Sequence, residues 1–342
     1  MSGIWTIIAA ALSFAVSGLL GIWLVPFLRK LHFGQTILEI GPKWHKGKQG
    51  TPTMGGFMFI VSSILVTSLC VILYYVFSSR DGIPPETTLQ TAKIFAGLFM
   101  AAAFGAIGFI DDYVKVAKKR NLGLTPKQKL ALQFLVAAAY LATMFFFGEG
   151  TDVFIPFFGK IDIGIMYYPI AAILIVGLVN AVNLTDGIDG LDGSITFFAA
   201  IFLILVSGYC ARMGLSIMSA ALAGGCLGFL VWNFHPAKTF MGDTGSLFLG
   251  GYICALLFGL DMEIFIPLIG FVYIAEMFSV IFQVTYFKLT HGKRLFKMSP
   301  IHHHFEMCGW SEVKIVTVFS IVEIVCGTAV LAMVMLGGRS LF

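Results

Sequence analysis

Long apolar runs separated by short polar segments are the dominant pattern of this 342-residue chain. A helix needs about 20 predominantly apolar residues to cross a bilayer, and ten runs satisfy or approach that length. They cover residues 3–26, 54–77, 92–110, 130–147, 164–182, 195–210, 214–232, 246–260, 264–287 and 315–337. The pattern therefore predicts an all-α polytopic membrane protein with ten transmembrane helices.

The polar segments between these runs alternate in charge. Those that follow the odd-numbered runs carry most of the 22 Lys and Arg residues and all seven His residues. Because basic loops stay on the cytoplasmic side of a membrane, we expect these loops to be cytoplasmic and both termini to be periplasmic. The predicted cytoplasmic loops are residues 27–53, 111–129, 183–194, 233–245 and 288–314, within one integral membrane domain over residues 1–342.

Two shorter patterns refine this topology. Residues 152–157 and 160–163 flank Phe158-Gly159, which favours a small β-hairpin on the periplasmic side. Gly224-x-x-x-Gly228 permits close approach of two helices. Packing within the chain is favoured over a dimer contact for this pair.

Composition excludes a water-soluble globule. Hydrophobic residues make up 58% of the chain and charged residues 12%, against roughly 25% charged residues in a soluble domain. The six Cys residues show no C-x-x-C spacing and favour core positions over a disulfide framework or a zinc site.

Acidic residues occur at the predicted cytoplasmic end of the third run. Asp111 and Asp112 lie there at the negative end of a helix dipole, where two adjacent carboxylates also repel each other. Either a cation or proton shares this site, or the pair is a solvated helix end. In the second case Lys115 and the basic residues 118–120 would offset its charge.

Two further loops combine aspartate with glycine. Asn183-Leu-Thr-Asp186-Gly-Ile-Asp189-Gly favours ligand contact, because glycine permits close backbone approach and carboxylates accept hydrogen bonds from sugar or base groups. Asp192 and Asp243 each precede a run, which favours an N-cap role for Asp192 and leaves N-capping and a ligand role open for Asp243. If the carboxylates of these loops converge, their hard oxygen atoms suit Mg²⁺.

Basic and histidine-rich loops supply candidate anion contacts. Lys48 and Thr53 belong to a lysine-rich segment with many turn residues, which suits a phosphate group. His302, His303 and His304 are consecutive and cannot point one way on a helix or strand, so a phosphate clamp is favoured over a zinc site. For residues 288–297, contact with anionic lipid stays equally open.

These motifs, taken together, resemble those of the phospho-N-acetylmuramoyl-pentapeptide transferases. The resemblance rests on Asp111-Asp112 with Lys115, the segment from Asn183 to Gly190, Phe240-Met-Gly-Asp243-Thr-Gly-Ser, and Pro300-Ile-His-His-His-Phe-Glu306. This family is a branch of the polyprenyl-phosphate N-acetylhexosamine-1-phosphate transferases. The triple histidine followed by Phe-Glu is similar to the muramoyl-pentapeptide branch in particular.

The resemblance implies a reaction and a location. Phospho-MurNAc-pentapeptide would pass from UDP-MurNAc-pentapeptide to undecaprenyl phosphate, giving lipid I and UMP in the first membrane step of peptidoglycan synthesis. It also implies Mg²⁺ dependence, a homodimer, contact with membrane lipid and a multi-pass position in the bacterial plasma membrane with the active site facing the cytoplasm. No nucleic-acid partner is implied.

The resemblance also assigns roles to residues. Asp243 is the expected metal ligand, Asp111 the candidate base on the lipid phosphate and Asp112 an essential neighbour, with His302 also placed among the catalytic residues. Substrate contacts are assigned to Lys48, Thr53, Lys115, Lys127, Asn183, Asp186, Gly187, Asp189, Asn233, Phe240, Gln283, His303 and His304.

Two alternative functions are kept. A related transferase could use UDP-GlcNAc in place of the muramoyl-pentapeptide donor. A lipid or ion transporter would instead need polar residues along a transmembrane path, and the sequence offers few, mainly Glu276, Gln283 and Glu323.

Overall fold

The computed structural model describes residues 3–31, 48–80, 86–117 and 123–337. Within these ranges the chain is mostly helical, and nine helices are long and apolar enough to cross a membrane. Parts of the first two predicted cytoplasmic loops, residues 32–47 and 118–122, lie outside the described residues, as do both chain ends. The basic residues 118–120 that were expected to offset the Asp111–Asp112 charge are among them.

Twelve α-helices and two strands make up the described part of the chain. The helices are α1 (Gly3–Lys30), α2 (Phe57–Arg80), α3 (Thr88–Ala117), α4 (Pro126–Phe146), α5 (Tyr167–Thr185), α6 (Leu191–Tyr209), α7 (Met213–Asn233), α8 (Gly242–Gly259), α9 (Ile266–Ile269), α10 (Phe271–Leu289), α11 (Ile301–Glu306) and α12 (Glu312–Gly337). The strands β1 (Asp152–Ile155) and β2 (Gly159–Asp162) pair antiparallel, with Asp152 opposite Asp162.

Helix α8 forms the centre of the bundle. It packs against α3 and α5, and residues 244–259 are all buried. Glycines make this approach possible, because a Cβ at Gly250 would lie 2.7 Å from Val179 Cα. The predicted run 246–260 corresponds to α8, which is not one of the nine helices that meet the length and hydropathy requirement within the described residues. A helix enclosed by protein needs no continuous lipid-facing apolar surface.

The predicted run 264–287 is interrupted in the structure. A 3₁₀ turn (Glu263–Phe265) and the short helix α9 precede α10, which begins after Gly270. Pro267 lies in the first turn of α9, where its missing N–H leaves no hydrogen bond unmade. The break separates a short segment at one membrane face from the spanning helix α10.

The Gly224–Gly228 pair is a contact within the chain. A Cβ at Gly224 would lie 2.1 Å from the carbonyl oxygen of Ala10, and one at Gly228 would lie 2.6 Å from that of Phe14. Both carbonyls belong to α1, which packs along α7. The favoured interpretation of this motif is confirmed. All six cysteines fall within the described residues and are free thiols; four are buried, as predicted for core positions, whereas Cys326 is half-buried and Cys308 is exposed.

Helices α3 and α8 carry polar groups at both ends of an antiparallel pair. Lys93 and Asp111 on α3 are eighteen residues apart, which corresponds to ~27 Å along a helix and matches a hydrocarbon core about 30 Å thick. Asp243 and Asp261 flank α8 with the same separation. Lys93 pairs with Asp261 at one end, and Lys115 pairs with Asp243 at the other. The two polar clusters therefore lie at opposite faces of the bundle.

Candidate active site

The first part of the site lies at the C-terminal end of α3. Lys115 Nζ is 2.6 Å from Asp111 Oδ2 and 3.6 Å from Asp112 Oδ1, as the i,i+4 and i,i+3 positions of a helix allow. A lysine at this end of a helix is also favoured by the helix dipole. Asp111 Oδ1 accepts a further hydrogen bond, 2.7 Å long, from the backbone N–H of Leu124. Both carboxylates are almost fully buried.

The N-terminus of α8 is held against this helix end by Asp112. Its Oδ2 accepts hydrogen bonds from Thr244 N at 2.9 Å and from Thr244 Oγ1 at 2.7 Å. Gly242 has a φ of +71°, and a Cβ there would lie 2.5 Å from Asp112 Oδ2 and 2.6 Å from Thr53 Oγ1. Only glycine permits this backbone conformation and this close approach.

Asp243 is not the N-cap of α8. Met241 occupies the cap position without a side-chain hydrogen bond, and Asp112 supplies the carboxylate instead. The Asp243 side chain faces two lysines, with Oδ2 at 3.0 Å from Lys115 Nζ and 2.9 Å from Lys129 Nζ. Of the two interpretations left open by the sequence, the structure excludes N-capping.

Asn183 and Lys129 complete the surroundings of Asp243. Asn183 Nδ2 donates to Asp243 Oδ1 at 2.9 Å and to Ser246 Oγ at 2.8 Å. Lys129 Nζ also donates to Asn183 Oδ1 at 3.2 Å. The sequence-predicted Lys127 lies on the exposed face of α4, because two residues along a helix turn through about 200°.

The inner cluster, defined as Asp111, Asp112, Asp243, Lys115 and Lys129, can hold a cation. Oxygen atoms of the three carboxylates lie within 4.8 Å of one another. The Lys115 ammonium is within 3.6 Å of all three carboxylates, so the oxygens already converge on one positive charge. Three carboxylates against two ammonium groups leave negative charge in excess. Hard oxygen ligands with this charge are the donor set that Mg²⁺ prefers.

Asp186 lies between the inner cluster and a second group of charges. Burial, followed by the nearby carboxylates of Asp243, Asp112 and Asp189, raises the pKa of Asp186 to about 8. The backbone N–H of Gly242 opposes this rise by donating to the side chain. Gly187 follows in an exposed position, so the turn presents its backbone at the surface.

The second group is the Lys48 cluster, defined as Lys48, Asp189, His235 and Glu312. Lys48 Nζ is 2.6 Å from Asp189 Oδ1 and 2.6 Å from Glu312 Oε2. His235 Nδ1 lies 3.0 Å from Asp189 Oδ2. Lys48 therefore does contact an aspartate of the Asn183–Gly190 motif, as the convergence of these loops requires.

Asp192 lies apart from both groups. The N-cap of α6 is Gly190, which has a φ of +77°, so the N-cap role predicted for Asp192 is wrong. Asp192 lies inside the first turn, is 1% exposed and accepts a hydrogen bond from Thr196 Oγ1 at 3.3 Å. Glycine in the left-handed conformation at position 190 starts the helix two positions earlier than predicted.

Two of the predicted substrate contacts join loops to one another. Asn233 is buried, accepts from Gly190 N at 3.1 Å and donates to Thr239 O at 2.9 Å. Phe240 pairs through its backbone, donating to Pro52 O at 2.8 Å and accepting from Gly55 N at 2.8 Å. These bonds fix the loop before α8 against the loop before α2.

The three histidines point in three directions from the short helix α11. His302 is fully buried, and its Nδ1 is 3.0 Å from Glu276 Oε2. Its Nε2 faces the Asp186 turn, since a Cβ at Gly187 would lie 2.2 Å from it. His303 Nδ1 is 2.6 Å from Glu306 Oε2, and His304 Nδ1 accepts from Lys297 N at 3.1 Å.

Gln283 supports the start of the histidine loop. Its Oε1 accepts from Leu295 N and Phe296 N, each at 2.9 Å, and its Nε2 donates to Phe296 O at 3.1 Å. With both polar atoms used in this way, Gln283 fixes a backbone turn between α10 and α11.

The sequence predictions did not include three residues that the structure brings into these groups: Lys129, His235 and Glu312. For Lys129 a signal exists, because Gln133 lies one turn further on the same face of α4 and pairs with Asn180. A lysine aligned with a buried glutamine marks the face that packs on the protein. For His235 and Glu312 the spacing along the chain gives no comparable signal.

Comparison with known proteins is consistent with this geometry. Residues 92–260, which include Asp111, Asp112 and Asp243, match a family model described as Glycosyl transferase family 4. A phospho-N-acetylmuramoyl-pentapeptide-transferase of Heliobacterium modesticaldum is 44% identical over 318 residues, covering 92% of each chain. The protein of that name from Clostridium perfringens (strain SM101) is 45% identical over 320 residues, 93% of this chain and 94% of the relative. One from Caldicellulosiruptor bescii is 44% identical over 337 residues, 98% and 99% of the two chains.

Proposed function

The chain belongs to the phospho-N-acetylmuramoyl-pentapeptide transferases, and from this premise we propose how its two charged groups perform the transfer of phospho-MurNAc-pentapeptide in peptidoglycan synthesis. The observation that carries the proposal is the inner cluster, where three carboxylates and two lysines from three helices meet at one face of the bundle. Groups of this kind neutralise and orient phosphates.

The proposed donor is UDP-MurNAc-pentapeptide and the proposed acceptor is undecaprenyl phosphate. An oxygen of the acceptor phosphate forms a bond to the phosphorus linked to the sugar. The bond between that phosphorus and the UMP oxygen breaks, so lipid I and UMP are the products. Because one substrate is soluble and the other has an apolar tail, the reaction requires a site at a membrane face.

Asp243 is the proposed ligand of Mg²⁺, with the neighbouring carboxylates facing the same position. Its side chain is 21% exposed, whereas Asp112 is 5% exposed, so Asp243 is the more accessible of the two. A bound Mg²⁺ would neutralise phosphate charge and stabilise the leaving UMP. Lys115 and Lys129 both pair with Asp243. With Mg²⁺ bound to Asp243, the two lysines would be free to contact substrate phosphates.

The other two aspartates take different proposed roles. Asp111 is the base that accepts a proton from the acceptor phosphate, and its Oδ2 lies 2.6 Å from Lys115 Nζ, whose side chain is 33% exposed. Asp112 is essential because it holds the N-terminus of α8, and with it Asp243, in place. Its Oδ2 is already held by two hydrogen bonds from Thr244, which argues against Asp112 as a nucleophile.

The donor nucleotide and sugar are proposed to bind between the inner cluster and the Lys48 cluster. This region is lined by Asn183, Asp186, Gly187, Asp189 and Lys48. Thr53 lies beside Gly242 at its edge. Asn233 and Phe240 shape the neighbouring loops. His303 and His304 contact the donor from α11, whereas the buried His302 acts on the Asp186 turn that it adjoins. Lys127, on the outer face of α4, is proposed only as a peripheral phosphate contact.

The membrane arrangement is also part of the proposal. With α8 counted beside the nine apolar helices, the chain has ten spans, both termini on the periplasmic side and a single membrane domain over residues 1–342. The hairpin β1–β2 follows α4 near the Lys93 end of the bundle, which supports a periplasmic position. The active site then faces the cytoplasm of a bacterial cell, in the plasma membrane, and the enzyme acts as a homodimer.

The function is tested by UMP release from purified protein. Protein in detergent is incubated with undecaprenyl phosphate, Mg²⁺ and either UDP-MurNAc-pentapeptide or UDP-GlcNAc. We expect UMP only with the muramoyl-pentapeptide donor and complete loss of turnover when Mg²⁺ is chelated. Turnover of UDP-GlcNAc alone would instead favour the related transferase, and no UMP with either donor would overturn the proposal.

A second experiment separates direct transfer from a covalent route. Protein is mixed with donor and Mg²⁺ without acceptor, then analysed by mass spectrometry for a phosphorylated aspartate. We expect no adduct, because direct attack needs the acceptor phosphate. A phospho-sugar adduct on Asp243 or Asp112 would replace the direct mechanism by a two-step one.

A further inference from the structure

Glu312, the first residue of α12, contacts two parts of the proposed donor site at once. Its Oε2 accepts a hydrogen bond from Lys48 Nζ at 2.6 Å and another from the backbone N–H of Asp189 at 2.9 Å. Lys48 belongs to the loop before α2, and Asp189 to the loop before α6. One carboxylate therefore joins two loops that are distant in the chain.

The contacts around Asp189 make this arrangement rigid. Asp189 Oδ1 also binds Lys48, at 2.6 Å, while Oδ2 accepts from Ala237 N at 3.0 Å and lies 3.0 Å from His235 Nδ1. Asp189 is 2% exposed and Glu312 is 8% exposed, against 18% for the Lys48 side chain. The two carboxylates are fixed, and the lysine is the member of the group that reaches solvent.

Asp189, His235 and Glu312 also have the side-chain types of a metal site. The Lys48 ammonium, however, lies at hydrogen-bond distance from both carboxylates, and the backbone N–H groups of Asp189 and Ala237 donate to the same two side chains. The geometry is that of a lysine held by two acceptors.

We propose that Glu312 is a positioning residue for the donor: it holds Lys48 and the turn of residues 186–189 in the arrangement that binds the UDP-linked substrate. A lysine side chain has four rotatable bonds and loses much conformational freedom when it is fixed. Glu312 restricts the side chain before the substrate arrives, from the rigid first turn of a helix where a carboxylate is favoured by the dipole. This inference rests on the proposed function.

The test compares KM values for the two substrates in purified variants. For Glu312→Ala we expect the donor KM to rise about tenfold, with the acceptor KM and kcat changed by less than about threefold. Glu312→Gln keeps an oxygen that can accept from Lys48 and Asp189 N, so it should recover most of the donor affinity. If Glu312→Ala fails to fold, Glu312→Leu takes its place, because leucine fills the space but accepts no hydrogen bond from Lys48 or Asp189 N.

Two controls exclude a general structural effect. Glu263→Gln changes a buried carboxylate at the opposite face of the bundle and should leave the donor KM unaffected. In a cycle of Lys48→Met, Glu312→Ala and the double variant, the two effects on donor KM should be less than additive, because Glu312 acts through Lys48.

The outcomes separate this inference from the proposed function. If the wild-type protein releases no UMP, the proposed function fails. If the wild type is active but Glu312 variants leave donor KM unchanged, raise both KM values equally, or add fully to Lys48→Met, the positioning role alone is overturned.

Discussion

The two ends of the α3–α8 pair carry similar residues in different states of enclosure. At the end opposite the inner cluster, here called the outer end, a single ammonium, Lys93, is 6% exposed. It pairs with Asp261 and with Glu149, the latter at 2.8 Å. At the inner end, Lys115 is 33% exposed and contacts three carboxylates, one of which, Asp243, it shares with Lys129. An enclosed ammonium fixes the helices that it joins, whereas a more accessible one can give up its carboxylates to a cation or a substrate phosphate. On this comparison we propose chemistry at the inner end and helix attachment at the outer end.

The largest effect that would test this assignment is expected for Asp243→Asn. The amide keeps the size of the side chain but removes the charge that Lys115 and Lys129 face. We expect kcat to fall by about 10³-fold, with a melting temperature close to that of the wild type. UMP release and thermal unfolding in detergent measure the two quantities. Near-normal turnover would break the assignment of chemistry to the inner end.

The matching change at the outer end is Lys93→Met. It leaves Asp261 and Glu149 without their cation in a mostly buried position, so we expect a loss of about 3 kcal/mol of stability. Turnover of the folded fraction at low temperature should stay close to wild type. Adding Asp261→Asn should restore part of the stability. A selective fall in kcat without loss of stability would mean that the outer end takes part in the reaction.

A smaller effect distinguishes two lysines of one helix. Lys129→Met removes an ammonium 2.9 Å from Asp243 Oδ2, and we expect kcat/KM to fall about 30-fold. Lys127→Met changes a side chain on the exposed face of α4 and should lose much less. Steady-state kinetics of the two variants side by side provide the measurement. A larger loss for Lys127 would favour the sequence prediction over the arrangement described above.

The smallest effect concerns pH at the outer end. Burial, with the nearby Asp261 carboxylate, raises the pKa of Glu263 to about 7, whereas an unfolded chain titrates near pH 4.3. The folded state therefore binds this proton more tightly than the unfolded state does. The stabilisation that results is fully present below about pH 4.3 and is lost as the pH rises through about 7. Wild-type stability should fall between pH 6 and 8 by about 1–2 kcal/mol more than that of Glu263→Gln. Parallel pH profiles would contradict the raised pKa.

Much of the fold follows from the sequence because burial in lipid acts on each apolar run separately. The break before α10 does not follow from the sequence, because whether Pro267 and Gly270 interrupt the helix depends on the packing of α9. The adjacency of Asp111, Asp112 and Lys115 is likewise local to one helix. By contrast, the pairing of Asp189 with Glu312 joins residues 123 positions apart, which no spacing rule predicts.

Misassigned helix caps have a related cause. Asp192 and Asp243 both occupy positions where a carboxylate commonly caps a helix. Which residue starts the helix depends on one dihedral angle at Gly190 and on Asp112, contributed by a different helix. Such choices depend on tertiary contacts, so the sequence alone leaves them open.

The enclosure of residues 244–259 of α8 has a consequence for how this enzyme responds to its surroundings. Changes in acyl-chain length, fluidity or curvature act first on the peripheral helices and reach Asp243 only after transmission through their packing. The distance between Asp243 and the carboxylates of α3 is therefore insulated from the lipid or detergent that surrounds the protein. Micelles and native bilayers should preserve the same catalytic spacing, and differences in rate between them should reflect delivery of the lipid substrate.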